Sequence, residues 1–301
     1  MTSAGDGRLR VGVAGLGRMG RPMAGNLAAA GLLVGIHNRT SEVGKRVADE
    51  LEVASYPTPA ELASVADVIV TSVADAGAVR DLYAGEAGFV ETMRPGALAV
   101  EMSTVGPDAV EWLHRLLEAR DCSVVDAPVS GSVSLAEKGE LTIMAGGADE
   151  DMARAMPLLE AMGALIVHVG PIGTGQQVKV LSNAVSAVNC ATLAQALAVG
   201  RRADVNLEAL LKVMGGGSAN STMLQLKGEP MLAHDFTPLF KLEHMLKDVR
   251  LCLEEAREAG AAFPAAALAG ELYAAGAGRG LGDQDFAAVL EVVESLNDTR
   301  V

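Results

Sequence analysis

Aromatic residues are scarce in this 301-residue chain: Phe, Trp and Tyr together make up 3% of it, against 50% hydrophobic residues overall. Its core must therefore be built mostly from Ala, Val, Leu and Met. Cysteine is also rare, with Cys122, Cys190 and Cys252 widely spaced and odd in number. There is no CxxC or metal-ligand spacing, and the five histidines form no pair at helical spacing. These absences exclude a disulfide framework and the usual zinc patterns, and predict reduced, buried thiols in a cytoplasmic protein with no metal. Positive charge is in deficit, with Lys+Arg 24 against Asp+Glu 38 and a net charge of -14. Nucleic-acid binding wants a basic face, so no nucleic-acid partner is expected. The acidity reads chiefly as solubility, and any anionic ligand must meet a local cluster of cations. The opening MTSAGDGRLR lacks the apolar stretch of a signal peptide. The longest weakly polar run, Ala184 to Gly200, is broken by Asn189, Thr192 and Gln195. It is expected to be a buried helix, with no membrane partner.

What is present is an alternation. Short β-type runs, LRVGVAG, LLVGIHNR (32–39), ADVIVTSV (66–73), GALAVEMST (96–104), CSVVDAPV (122–129), LTIMAGG (141–147) and LIVHVG (165–170), are separated by helix-period segments such as Pro22 to Ala30 and Pro107 to Ala119. Strands alternating with crossover helices predict an α/β fold: a doubly wound parallel sheet covered on both faces. After Gly170 the strand signals stop. A segment from about Gly175 to Ala203 reads as one helix on the order of 40 Å long, joining the sheet domain to an all-α remainder. The length suits two domains, drawn here as 1–170 and 171–301.

Two motifs carry chemistry. GLGRMG places Gly15, Gly17 and Gly20 between a predicted strand and helix. The first glycine makes a tight turn, the second lets a pyrophosphate approach the backbone, and the third lets the helix pack on the strand. The second strand ends in His37-Asn38-Arg39-Thr40. A ribose 2′-hydroxyl asks for Asp or Glu here. Asn38 offers no negative charge and Arg39 offers a planar cation, which predicts NADP(H) in preference to NAD(H). Downstream, GTGQQVKVLSN places Lys179 and Asn183 four apart on one helix face. A helical lysine is ordinarily solvated, but Val178, Val180 and Leu181 surround this one. Desolvation lowers a lysine pKa from about 10.4 toward neutrality, where it can exchange protons. DAPVSGS (Asp126 to Ser132) sets Ser130 and Gly131 at a strand end, where hydroxyl and backbone N–H groups can hold a carboxylate. EMSTVGP puts Ser103 and Thr104 at another strand end, beside the expected nicotinamide. A hydride carrier and a proton carrier together suffice to oxidise an alcohol or reduce a carbonyl.

These motifs, in this order, resemble the β-hydroxyacid dehydrogenase family, which includes 3-hydroxyisobutyrate dehydrogenase, tartronate semialdehyde reductase and the glyoxylate/succinic semialdehyde reductases. GLGRMGRPMAGNL resembles the family's cofactor motif, DAPVSGSVSLAEKGELTIMAGG its substrate motif, GTGQQVKVLSN its catalytic lysine motif, and FKLEHMLKDVRL (Phe240 to Leu251) a fourth motif near both ligands. The resemblance implies a Rossmann-type domain, a long interdomain helix and an all-α domain, assembled as a homodimer or tetramer. It implies Lys179 as acid/base and Ser130, Gly131, Ser132, Asn183, Phe240 and Asp248 around a small hydroxy acid or aldehyde acid. Gly15, Leu16, Gly17, Arg18, Met19, Gly20, Asn38, Arg39, Thr40, Val73, Ala74, Thr104 and Lys247 would meet the cofactor.

The chain departs from the family's pattern in four places. Ser132 stands where SGG is common, Ser182 where the first Asn of KxxNN is common, Ser72-Val73-Ala74 where MLP is common, and Gln195 where a Glu is common. Ser132 and Ser182 put the identity of the substrate in doubt. Two alternatives share the fold, an imine reductase and a non-catalytic dinucleotide-binding scaffold. Both generally lack the lysine. A nucleotide-sugar or 6-phosphogluconate enzyme would want a longer C-terminal region and more cations. The Ala-rich stretch Ala261 to Ala277 offers small faces suited to close helix packing between subunits.

Overall fold

The computed structural model describes residues 9–301, so most of the segment read for a signal peptide lies outside the described residues. Two compact units divide the chain, one running up to Lys179 and one spanning Val180–Val301. The expected boundary preceded the long helix. The division falls inside it, because the helix's first turn is bonded to the sheet of the first unit.

In the first unit the described residues form one sheet of nine strands: β1 Val11–Ala14, β2 Leu33–His37, β3 Ala54–Ser55, β4 Val68–Thr71, β5 Leu98–Glu101, β6 Ser123–Asp126, β7 Val129–Ser130, β8 Leu141–Gly146 and β9 Gly163–Gly170. The order is β3-β2-β1-β4-β5-β6-β8-β7, with β9 on β8. The first six strands are parallel, in the doubly wound order 3-2-1-4-5-6. β8 runs antiparallel to β6 and β7 and parallel to β9. The short β3, with Gly35 opposite Ala54, had no signal in the sequence; two residues are too few for alternation to register.

The apolar runs become strands because both sheet faces are covered. Val68, Val70, Leu98, Val100 and Val125 enter one core with Met23 and Leu27 of the first helix. Their alternate neighbours Ile69, Ala99 and Val124 enter a second core with Leu62, Val79, Leu113 and Phe89. This is the two-residue period of a strand read from opposite sides. Each fully buried Val or Leu contributes about 1.5–3 kcal/mol.

The second unit is helical. The long helix Thr174–Arg202 continues into it and buries Ala187, Cys190, Ala191, Ala194, Leu197 and Ala198 at helical spacing. Helices Leu207–Gly215, Thr222–Ala233, Leu242–Glu258, Pro264–Gly278 and Val289–Leu296 complete it. The long helix is apolar and long enough to cross a membrane by composition, but here one face packs into this core. On the Ala-rich helix one face packs internally, with Gly270 against Val249 and Gly276 against Leu242, while Ala265, Ala267, Leu268 and Ala275 remain exposed.

Candidate active site

In the first unit, the loops after the parallel strands leave one edge of the sheet, where ligands bind in doubly wound folds. After β1 the chain turns at Gly15, whose φ is 89°; a Cβ there would lie 2.2 Å from the Ser72 carbonyl oxygen. A Cβ on Gly20 would lie 1.9 Å from the Gly15 carbonyl oxygen. Neither position admits a side chain. Gly17 is different, because a Cβ there would meet nothing within 4 Å. Packing does not demand glycine at Gly17, and the open space over its backbone would admit a pyrophosphate. The helix that follows, Gly20–Ala29, has no acidic residue in its first turn and no side-chain cap, so its N-terminal dipole is available to a phosphate. These residues fit a dinucleotide. Leu16 is buried, Met19 half-buried and Arg18 exposed.

At the end of β2, Asn38 Oδ1 accepts from the Leu16 amide at 3.0 Å and its Nδ2 donates to the Thr40 carbonyl at 3.0 Å. Asn38 thus ties the glycine turn to the strand end. Arg39 and Thr40 are exposed.

Behind the loops that carry Val73, Ala74 and Thr104 lies a buried carboxyl group that the sequence reading missed. Glu101 accepts from the Ser103 amide at 2.8 Å and from the Thr71 hydroxyl, while Ser103 Oγ accepts from the Val73 amide at 2.8 Å. Burial pushes the Glu101 carboxyl up to about 7, against the pull of its hydrogen bonds to Ser103 and Thr71. The signal was there: one charged residue closing an otherwise apolar strand.

Ser130 closes β7 opposite Thr142 of β8. Gly131 has φ 146°, and a Cβ would meet Leu141 Cδ2 at 2.8 Å. Ser132 is exposed; its Oγ accepts from the Leu135 amide at 3.3 Å and pairs with Ser134 Oγ at 2.7 Å. That hydroxyl caps the short helix Val133–Glu137.

Lys179 lies in the second turn of the long helix and is 8% exposed. The start of the helix is held by Asp126 at the end of β6, whose two oxygens accept from the Gly173 and Gln176 amides, each at 2.8 Å. Burial pushes Asp126 up to about 6, opposed by those same amides.

In the second unit, Asn183 follows one turn along the helix, 9% exposed, and its Nδ2 donates to Asp248 Oδ2 at 2.6 Å. Lys247 Nζ stands 3.0 Å from Asp248 Oδ1. Three residues named from the sequence are therefore brought together. Ser182 is exposed. Phe240 packs edge-on to Phe286, with ring centroids 6.2 Å apart, and against His244 at 5.8 Å. Beneath it is a buried ion pair that sequence reasoning had no means of finding, because its partners are remote in the chain: Lys227 Nζ to Asp285 Oδ1 at 2.7 Å. Asp285 Oδ2 also accepts from the amides of Leu239 and Phe240 at 2.9 and 3.1 Å. Among the described residues no cluster of three or more His, Cys, Asp or Glu could hold a metal ion.

Known proteins resemble the chain along almost all of it. Residues 10–170 match the model for the NAD binding domain of 6-phosphogluconate dehydrogenase, and residues 173–293 match that for the NAD-binding domain of NADP-dependent 3-hydroxyisobutyrate dehydrogenase. The chain is 32% identical over 295 residues to 2-(hydroxymethyl)glutarate dehydrogenase of Eubacterium barkeri, covering 97% of each. It is 33% identical over 287 residues to L-threonate dehydrogenase of Cupriavidus necator, covering 95% of this chain and 96% of that one. Among solved structures, Mycobacterium tuberculosis 3-hydroxyisobutyrate dehydrogenase with L-serine superposes with a TM-score of 0.87 at 30% identity, over 95% of this chain and 99% of that one. An imine reductase from Myxococcus stipitatus with NADP+, 20% identical with a TM-score of 0.62, shares the fold. Two family models in chain order, and relatives above 30% identity over nearly the whole length, place the chain in the β-hydroxyacid dehydrogenase family of nicotinamide-dependent oxidoreductases.

Proposed function

We propose that this protein interconverts a small 3-hydroxy acid and its aldehyde acid with NADP(H), with Lys179 exchanging the proton. The observation that carries this reading is a lysine 8% exposed, one helical turn before a buried asparagine. An amine held out of solvent at that point is placed to exchange a proton with a bound alcohol. When bound, the nicotinamide supplies or accepts the hydride. Lys179 as neutral amine takes the hydroxyl proton during oxidation, and as ammonium returns it during reduction. Asn183, its amide oriented by Asp248, holds the reacting oxygen in line. The Ser130 hydroxyl and the Gly131 amide anchor the carboxylate, with Ser132, Phe240 and Asp248 completing the substrate's surroundings. Arg39 and Thr40 meet the 2′-phosphate and Lys247 reaches the cofactor. The NADP preference is supported by the absence of a carboxylate at the end of β2 and by the exposed Arg39.

The dehydrogenase names of the relatives, 2-(hydroxymethyl)glutarate and L-threonate, support a substrate that carries a carboxylate. Assembly as a homodimer or tetramer is part of the same reading, and three buried, unpaired cysteines support a reducing, cytoplasmic setting. The test is a panel of small 3-hydroxy acids and aldehyde acids with NADP(H) and NAD(H), read by absorbance of the reduced nicotinamide. Turnover of at least one carboxylate-bearing substrate, faster with NADP(H), is the expected result. Turnover of cyclic imines alone would overturn the reading.

A further inference from the structure

The Gln176 side chain is fully buried three residues before Lys179. Its Oε1 accepts from the amides of Val105 and Gly106 at 2.9 and 3.2 Å, and its Nε2 donates to the Ser103 carbonyl at 2.8 Å. One side chain thus satisfies three backbone groups of the loop after β5. The Gln176 backbone amide in turn donates to Asp126. Ser103 continues the chain through its bonds to Glu101 and Val73. A continuous line of buried hydrogen bonds therefore runs from the end of β4, through β5 and β6, to the first turn of the lysine helix. Gln176 itself spends both polar atoms of its side chain on backbone groups of this line.

We propose that Gln176 is a positioning residue for Lys179: its amide clamps the first turn of the lysine helix to the Ser103–Gly106 loop. The inference rests on the assignment of Lys179 as the proton carrier. Glutamine suits the place because it offers one acceptor and one donor, neutral at every pH. A methionine fills the same space and satisfies none of the three backbone groups. A glutamate keeps the acceptor and, when ionised, loses the donor to Ser103. The clamp acts on the rotation and depth of a helix turn, so its loss should misplace the lysine amine while leaving the substrate's carboxylate contacts in place.

The experiment compares wild type, Gln176→Met and Gln176→Glu by steady-state kinetics and by hydrogen exchange of the 103–106 and 174–181 segments. The expected result for Gln176→Met is a kcat lower by about 10–100-fold, the scale of a small misplacement of a reacting group. The substrate KM should stay within about threefold. Gln176→Glu should fall between Gln176→Met and wild type, and exchange should quicken in those two segments alone. If Gln176→Met fails to fold, Gln176→Glu decides by the same criteria. A kcat within about twofold of wild type, a loss confined to KM, or unchanged exchange would overturn the proposal. A wild type that turns over no member of the substrate panel defeats the functional reading instead, and the exchange data then judge the clamp alone.

Discussion

Lys179 and Arg39 sit at opposite extremes of burial, and each extreme bears on its assigned task. A buried amine is shielded from bulk water, as the proposed proton exchange with a bound substrate requires. Lys179→Ala should lower kcat by about 10²–10⁴-fold, with cofactor affinity little changed. Steady-state kinetics and a fluorescence titration with reduced cofactor check both halves of that statement. Near-native turnover would remove Lys179 from the mechanism. Arg39 is exposed, which leaves its guanidinium accessible to the 2′-phosphate that the proposed NADP(H) preference requires. Arg39→Asp deletes a planar cation and supplies a ribose-binding carboxylate. NADP(H) affinity should fall far more than NAD(H) affinity, and equal losses would mark Arg39 as a bystander. Asn38 has a second task that its type alone does not announce, since its amide bonds Leu16 and Thr40.

At the scale of elements, buried carboxyl groups at strand ends bind loops together at a cost in ionisation. Glu101 has a folded pKa of about 7 against an ordinary 4.5, with burial as the principal cause. The folded state therefore holds this proton more tightly than the unfolded chain does. The stability this contributes is complete below about 4.5 and is lost as pH rises through about 7. Glu101→Gln keeps an acceptor for Ser103 and does not ionise. Relative to wild type it should gain in thermal stability between pH 5 and pH 8, and a pH-independent difference in Tm would contradict this. The Lys227–Asp285 pair behaves differently, since each partner neutralises the other inside the helical unit. Lys227→Met leaves Asp285 buried and uncompensated, a loss of about 3–5 kcal/mol in denaturant unfolding. The loop carrying Phe240, bonded to Asp285, should loosen with it.

At the scale of the whole molecule, apolar surface remains exposed along one helix. Val178, Leu181, Val185 and Val199 of Thr174–Arg202 lie between 37% and 61% exposed. In the helical unit Val199 and Gly200 also border a shallow depression of about 490 Å³ with Ala196, Val205 and Leu210. An apolar stripe of this kind marks an interaction surface more often than a solvated one. Light scattering at micromolar concentration should give the mass of a dimer or tetramer, and Val185→Glu or Val199→Glu should lower it. A monomeric mass for the wild type would remove the assembly from the proposal. The long helix thereby joins the Ala-rich helix, part of which also stays exposed, as an expected subunit contact.

Local periodicity and glycine placement were enough to specify the sheet half, the glycine turn and the long helix. A buried parallel strand leaves a continuous apolar run, and the turn at Gly15 excludes every other residue; both constraints act over a few positions. The same held for Lys179 and Asn183, four apart on one face. Pairings between remote segments were decided only by the tertiary structure, because hydrogen bonds and ion pairs depend on distance in space and leave no period in the chain. Gln176 meets Val105, Asp126 meets Gly173, Lys227 meets Asp285, and Asn183 meets Asp248. Ser132 adds a bond of the same kind, its hydroxyl accepting from the Leu135 amide, which the motif by itself does not state.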